Sequence, residues 1–220
     1  SDELLLNILP EEVAEELKAK GHAEAKHFDN VTILFTDFKG FTEASERLTP
    51  QELVEELNTC FKAFDGIITA RGIEKIKTIG DAYMVAGGLN KDEGNYSQAI
   101  AELALAMRDL LRTDFEVNSL HLEVRIGIGT GPIVAGVVGK KKFIYDLWGD
   151  TVNLASRITS EGVPGMVHVD ETTYRRLADR FEFQPPQIIH LKGKGNTPVY
   201  RLVGPLKKPL PNEAAVSSGA

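Results

Sequence analysis

The sequence predicts an α+β domain with a ferredoxin-like βαββαβ core and a C-terminal α/β extension. Three observations lead there. Short β-branched runs bounded by turn residues, as at Val31–Asp37 and Ile73–Gly87, read as strands. Two longer segments carry apolar residues at helical spacing. Their order, strand–helix–strand–strand–helix–strand, is that of the ferredoxin-like unit.

Each element has a local reason. Val31–Asp37 is apolar or threonine at nearly every position before its aspartate, so it reads as a central strand buried on both faces. Thr49-Pro-Gln-Glu52 is a capping box with proline at the first helical position. It opens a helix with Leu53, Leu57, Phe61, Phe64 and Ile68 on one face, and Gly72 is its expected stop. Ile73–Gly87 reads as two strands around Thr78-Ile79-Gly80-Asp81. Ser97–Leu111 repeats Ile100, Leu103, Ala104, Met107 and Leu111 as a second helical stripe. Leu122, Val124, Ile126 and Ile128 alternate as the fourth strand. Glycines at 127, 129, 131, 136 and 139 follow. They match no dinucleotide-binding turn, because no Gly-x-Gly-x-x-Gly opens a helix there. Gly136-Val-Val-Gly139 reads as a strand end or a site of close packing.

The extension continues with an extended Phe143–Trp148, a helix over Thr151–Thr159, and a strand over Met166–Val169. Asp170 caps the next helix. Phe181–Phe183 and Gln187–Leu191 read as a hairpin, Lys192-Gly-Lys-Gly195 as a basic turn, and Pro198–Val203 as the last strand. The chain divides into an entry segment (1–28), the main domain (29–204) and a tail (205–220) with the composition of disorder. In the entry segment, Leu4, Leu5, Leu6 and Ile8 lead to Pro10, and residues 11–18 read as a short amphipathic helix. Residues 18–27 are polar and expected to be mobile.

Composition narrows the function. The chain has 220 residues and a net charge of −7, which argues against a general nucleic-acid binder. Its single cysteine, Cys60, excludes an internal disulfide and fits a reducing compartment. Leu57, Phe61 and Phe64 around it suggest a buried structural thiol. No run reaches the length of a membrane span and no signal peptide is visible. The five histidines are scattered without metal-ligand spacing, so no zinc site is assigned.

Two acidic turns hold the candidate chemistry. Asp37 ends the first strand, and the chain turns at Gly40 into a helical pattern. The backbone N–H groups of Phe38, Lys39, Gly40, Phe41 and Thr42 would then face phosphate oxygens. Asp81 lies in the turn of the second hairpin. Asp37 and Asp81 could share two Mg²⁺ ions roughly 3.5–4 Å apart. Lys77, four residues before Asp81, admits two readings: a weak surface ion pair with that aspartate, or a ligand-reading lysine beside a cation site. Lys140-Lys141-Lys142 is either a solvated loop or a mobile basic arm. Asn153 and Arg157 are four apart and share a helix face, where they could converge with Asp146.

Phe35–Thr42, Lys75–Met84 and Tyr145–Arg157 resemble the catalytic signatures of the class III nucleotidyl cyclases, in order and with ordinary spacing. The likeness runs from about Val31 to Val203. It implies the class III cyclase homology domain. Asp37, Asp81 and the Phe38 carbonyl would bind two Mg²⁺ ions, with Mn²⁺ as an alternative. Arg157 would stabilise the transition state, Asn153 would position the ribose, and Lys192 would bind phosphate. Lys141 matches a basic residue of a mobile arm more loosely. Lys77 and Asp146 match the adenylyl pattern of base recognition, which implies an adenylyl cyclase acting on ATP. A guanylyl cyclase and a non-catalytic nucleotide-binding module are the alternatives. The family's sites combine residues from two subunits, and this chain carries both sets, so a homodimer is expected. The resemblance also implies a cytoplasmic catalytic domain and a regulator or membrane anchor joined through the entry segment. The regulatory input, the preferred metal and the openness of the free dimer are not legible in the sequence.

Overall fold

The computed structural model describes residues 4, 9–70, 72–90 and 94–207. Helix α1 (Glu11–Lys20) leads to the long strand β1 (Lys26–Lys39). The short helix α2 (Phe41–Arg47), helix α3 (Pro50–Ile67), the hairpin β2 (Ile73–Ile79) and β3 (Ala82–Gly87), and helix α4 (Tyr96–Thr113) follow. Strand β4 (Glu123–Val138) turns into β5 (Ile144–Trp148), and helix α5 (Asp150–Ser160) leads to β6 (Val167–Asp170). Helix α6 (Glu171–Leu177) and strands β7 (Phe181–Phe183), β8 (Gln187–Leu191) and β9 (Gly195–Pro205) complete the described chain.

One mixed sheet runs in the order β2-β3-β1-β4-β6-β9-β7, with β5 paired to β4 and β8 to β9. Its first four strands have the ferredoxin-like order expected from sequence. β6 runs parallel to β4, reached through α5, and extends the sheet.

Strand alternation divides the core into two layers. Leu34 and Phe38 of β1 face α3 and α4, together with Phe61, Phe64, Ile100 and Met107. Val31, Ile33 and Phe35 face the other way, against Ala14 and Leu17 of α1, Tyr145 and Leu147 of β5, and Ala155 of α5. This is the period of two that a strand buried on both faces requires.

Glycines of β4 set the seat of α5. A methyl at Gly127 would come within 2.6 Å of the Thr159 backbone, and one at Gly129 within 3.3 Å of Ala155. One at Gly131 would meet the Thr151 hydroxyl at 2.6 Å. Two strand residues advance about 6.6 Å, and four helical residues advance about 6 Å. The two series therefore keep step, and the absent side chains let the helix lie directly on the strand.

Several boundaries differ from the sequence reading. β1 begins at Lys26, since Lys26 and His27 pair with Ala135 and Val134; residues 26–27 therefore belong to the sheet, not to a mobile link. α1 ends at Gly21, which adopts φ 75° and donates its N–H to Leu17 O. The capping box at Thr49 and Glu52 forms as expected. α3 stops at Ile67, before the expected Gly72, in the β-branched run Ile67-Ile68-Thr69. β4 runs on through the glycine cluster to Val138. Cys60 is buried, and burial pushes its thiol up to about 12. The expected disordered tail lies outside the described residues from position 208 onward, as do Leu5, Leu6 and Ile8.

Candidate active site

Asp37 lies near the C-terminal end of β1, directly across from Arg125 of β4. Arg125 grips both carboxylate oxygens: Nε donates to Oδ1 at 2.7 Å and Nη2 to Oδ2 at 2.9 Å. A third bond runs from Arg125 Nη1 to Ser160 O at 2.9 Å, on the last turn of α5. Asp81, in the β2–β3 turn, accepts the Phe38 N–H at 3.1 Å. In an extended strand the N–H and C=O of a residue point to the same edge, so the Phe38 carbonyl also faces this turn. Burial raises the Asp37 pKa; the Arg125 hydrogen bond and charge lower it, and the nearby Asp81 charge raises it again.

The loop after Asp37 differs from expectation. The Phe38 N–H is taken by Asp81, so it is not free to face a phosphate. Gly40 adopts φ 81°, where a side chain would be strained, and starts α2. Phe41 packs against the helix-side core, whereas Lys39 and Thr42 are exposed.

Lys77 does not pair with Asp81. Its Nζ donates to Asp146 Oδ2 at 2.7 Å, and both side chains are partly buried, at 32% and 16% exposure. The two residues come from different registers. Lys77 lies opposite Met84, hence across the sheet from Phe35 and Gly127. Asp146 lies opposite Gly136, nine residues further along β4. Contact between them requires the β4–β5 ribbon to fold back over the sheet. Tyr145 and Leu147, which flank Asp146, are buried there against Ile33 and Met84.

Asn153 and Arg157 are exposed on the outer face of α5, opposite the buried Thr151, Ala155 and Ile158. Lys141 lies in the β4–β5 turn and Lys192 in the β8–β9 turn; both are exposed. The structure thus brings Asp37 to Asp81 and Lys77 to Asp146. It leaves Asn153, Arg157, Lys141 and Lys192 facing outward.

Arg125 escaped the sequence reading. Its signal was a lone charge between Val124 and Ile126 in an apolar strand, which acquires meaning only when the β1–β4 register places it on Asp37.

The acidic pair suits a hard divalent cation. Two neighbouring carboxylates and a backbone carbonyl form an all-oxygen donor set. Among the described residues no group of three or more His, Cys, Asp or Glu could hold a metal. A pair of carboxylates would be enough for Mg²⁺, which binds through one or two of them plus water and phosphate oxygens.

Comparison with known proteins identifies the family. The family model "Adenylate and Guanylate cyclase catalytic domain" matches residues 23–204. The chain is 39% identical over 205 residues to an adenylate cyclase of Mycobacterium tuberculosis, covering 93% of this chain and 46% of that protein. It is 42% identical over 211 residues to human guanylyl cyclase C, covering 93% of this chain and 20% of that one. The chain thus spans less than half the length of these curated relatives. A crystal structure of the guanylate cyclase domain of RhGC from Catenaria anguillulae, in complex with GTP, superposes with a TM-score of 0.78. That pair is 31% identical, over 82% of this chain and all of that one. Similarity therefore does not choose between the two purines, but it fixes the family: this chain is a nucleotide cyclase catalytic domain, a member of the adenylate and guanylate cyclase family.

Proposed function

We propose that the chain converts ATP to 3′,5′-cyclic AMP and pyrophosphate, at sites shared between two copies. In this reaction the ribose 3′-oxygen forms a bond to the α-phosphorus. The bond from that phosphorus to the pyrophosphate bridging oxygen breaks, and the hydroxyl proton passes to solvent. Such chemistry needs alignment and charge stabilisation more than a covalent partner.

The observation that carries the choice of base is the Lys77–Asp146 pair. Adenine presents an acceptor at N1 and a donor at its amino group. An ammonium and a carboxylate held side by side meet that edge when the base enters between them. Guanine presents a donor and an acceptor at the same two points, so both contacts would be mispaired. Leaving a buried polar group unpaired costs about 1–3 kcal/mol.

Asp37, Asp81 and the Phe38 carbonyl would hold two divalent ions, Mg²⁺ or Mn²⁺, which when bound neutralise phosphate charge and favour loss of the hydroxyl proton. Arg157 would donate to charge developing on the α-phosphate, and Asn153 would orient the ribose. Lys192, and more loosely Lys141, would reach the outer phosphates, with the turn at residues 38–42 alongside.

The outward placement of Asn153 and Arg157 supports the shared site. They lie on the face of α5 turned away from the sheet that carries Asp37. A two-fold partner would set each outward face against the other's carboxylates. We further infer, from the family resemblance, that the segment before β1 connects to a regulatory region; α1 itself packs into the same core layer as β5. No described helix is long and apolar enough to cross a membrane.

Product identification tests the reading. The purified chain is incubated with ATP or GTP, each with Mg²⁺ or Mn²⁺. Cyclic AMP should dominate. Predominant cyclic GMP would establish the guanylyl alternative, and no product from a demonstrated dimer would establish the non-catalytic one.

A further inference from the structure

We propose that Arg125 is an internal counter-ion that takes the place of a divalent cation at Asp37 and must release it before the cation binds. This rests on the reading of Asp37 as a metal ligand. The guanidinium donates to both Asp37 oxygens in the two-pronged geometry that arginine forms best. The pair is cross-strand in direct register, so backbone hydrogen bonding between β1 and β4 holds the partners together. A cation joining Asp37 would meet a positive charge already seated on its ligand.

Two further features make the exchange workable. Asp81 accepts the N–H of Phe38, the residue next to Asp37, at 3.1 Å, so the two carboxylates are neighbours. Without a cation, two neighbouring carboxylates repel, and Arg125 offsets that repulsion. The guanidinium also has a second seat. Nη1 already donates to Ser160 O at the C-terminal end of α5, where backbone carbonyls and the helix dipole favour a cation. Arg125 can keep that bond while releasing Asp37. Resting stability and cation affinity are therefore opposed through one side chain.

The test measures Mn²⁺ binding to the nucleotide-free chain, by the electron paramagnetic resonance signal of unbound Mn²⁺. Wild type is compared with Arg125→Gln, Arg125→Lys and Asp37→Asn, each checked for folding by thermal melt. Arg125→Gln should bind about tenfold more tightly, the scale on which groups around a metal ligand tune affinity. Arg125→Lys loses the two-pronged grip but keeps the charge, and should fall between the two. If Arg125→Gln does not fold, the lysine variant carries the comparison with wild type. Asp37→Asn should abolish the binding. Equal or weaker binding by the folded arginine variants, with Asp37→Asn inactive in binding, overturns the counter-ion role and leaves the carboxylate site standing. Wild-type binding by Asp37→Asn overturns both.

Discussion

Two ion pairs of equal length, 2.7 Å, differ in how the fold makes them. Asp37 and Arg125 face each other across adjacent strands, so their meeting follows from sheet register alone. Lys77 and Asp146 lie at registers nine residues apart along β4 and meet because the β4–β5 ribbon folds back. The first pair joins a proposed metal ligand to an arginine that no sequence motif marked. The second joins two residues proposed for one task, reading a purine. A cross-strand pair can thus hold a site closed at rest, while a tertiary pair can assemble one. The proposed roles make the two pairs separable by experiment.

The largest effect is expected on the carboxylate side. Asp37→Asn or Asp81→Asn should lower turnover at saturating Mg²⁺ by roughly a thousandfold or more, with the circular dichroism spectrum unchanged. Near-normal turnover in either variant would remove the metal assignment. Arg157→Ala, on the outer face of α5, should lower kcat by about a hundredfold or more while changing KM little, because its bond would strengthen in the transition state. A change confined to KM would make it a simple binding residue.

On the base side, Lys77→Glu combined with Asp146→Cys should cut kcat/KM for ATP by roughly ten- to a hundredfold and admit some GTP. Full retention of ATP preference would show that this pair does not read the base. Absence of GTP turnover alone is weaker evidence, since surrounding contacts also support a pocket.

An effect of a different kind separates site chemistry from fold stability. His168 of β6 is 5% exposed and its Nδ1 has no partner among the described residues. Burial, helped by the Arg201 charge, lowers its pKa to about 4. The folded state therefore favours the neutral ring. Its stabilising contribution is complete above the unfolded value near 6.5 and is lost as pH falls towards 4. The loss is on the order of 3 kcal/mol, read from urea melts between pH 7 and pH 4. His168→Gln should flatten that dependence without changing nucleotide preference. An unchanged slope would assign the acid sensitivity to other groups.

What the sequence revealed, and what it hid, follows the same division. The strands, the helices and the residues of three motifs were legible, because periodicity and turn chemistry are local. The capping box at Thr49 and the cap at Asp170 formed where their residue types required. Non-local facts were hidden. Lys77 was four residues from Asp81 in sequence, yet it turns to Asp146, 69 residues away. Phe38 was expected to offer its N–H to a ligand, but Asp81 already accepts it. The spacing of Gly127, Gly129 and Gly131 acquired a reason only when α5 was seen lying on β4. Arg125 belonged to no motif, and only pairing made it part of the site.

Each site is proposed to draw Asp37 and Asp81 from one copy and Asn153 and Arg157 from the other. Mixing tests it most directly. Asp37→Asn and Arg157→Ala are each expected to give homodimers with two broken sites. After exchange in equal amounts, half the dimers are mixed, and each has one site carrying both lesions and one carrying neither. Activity should recover to about one quarter of wild type, at the rate of subunit exchange. A mixture that stays inactive after exchange has been demonstrated by labelled subunits would place the whole site within one chain and contradict the account.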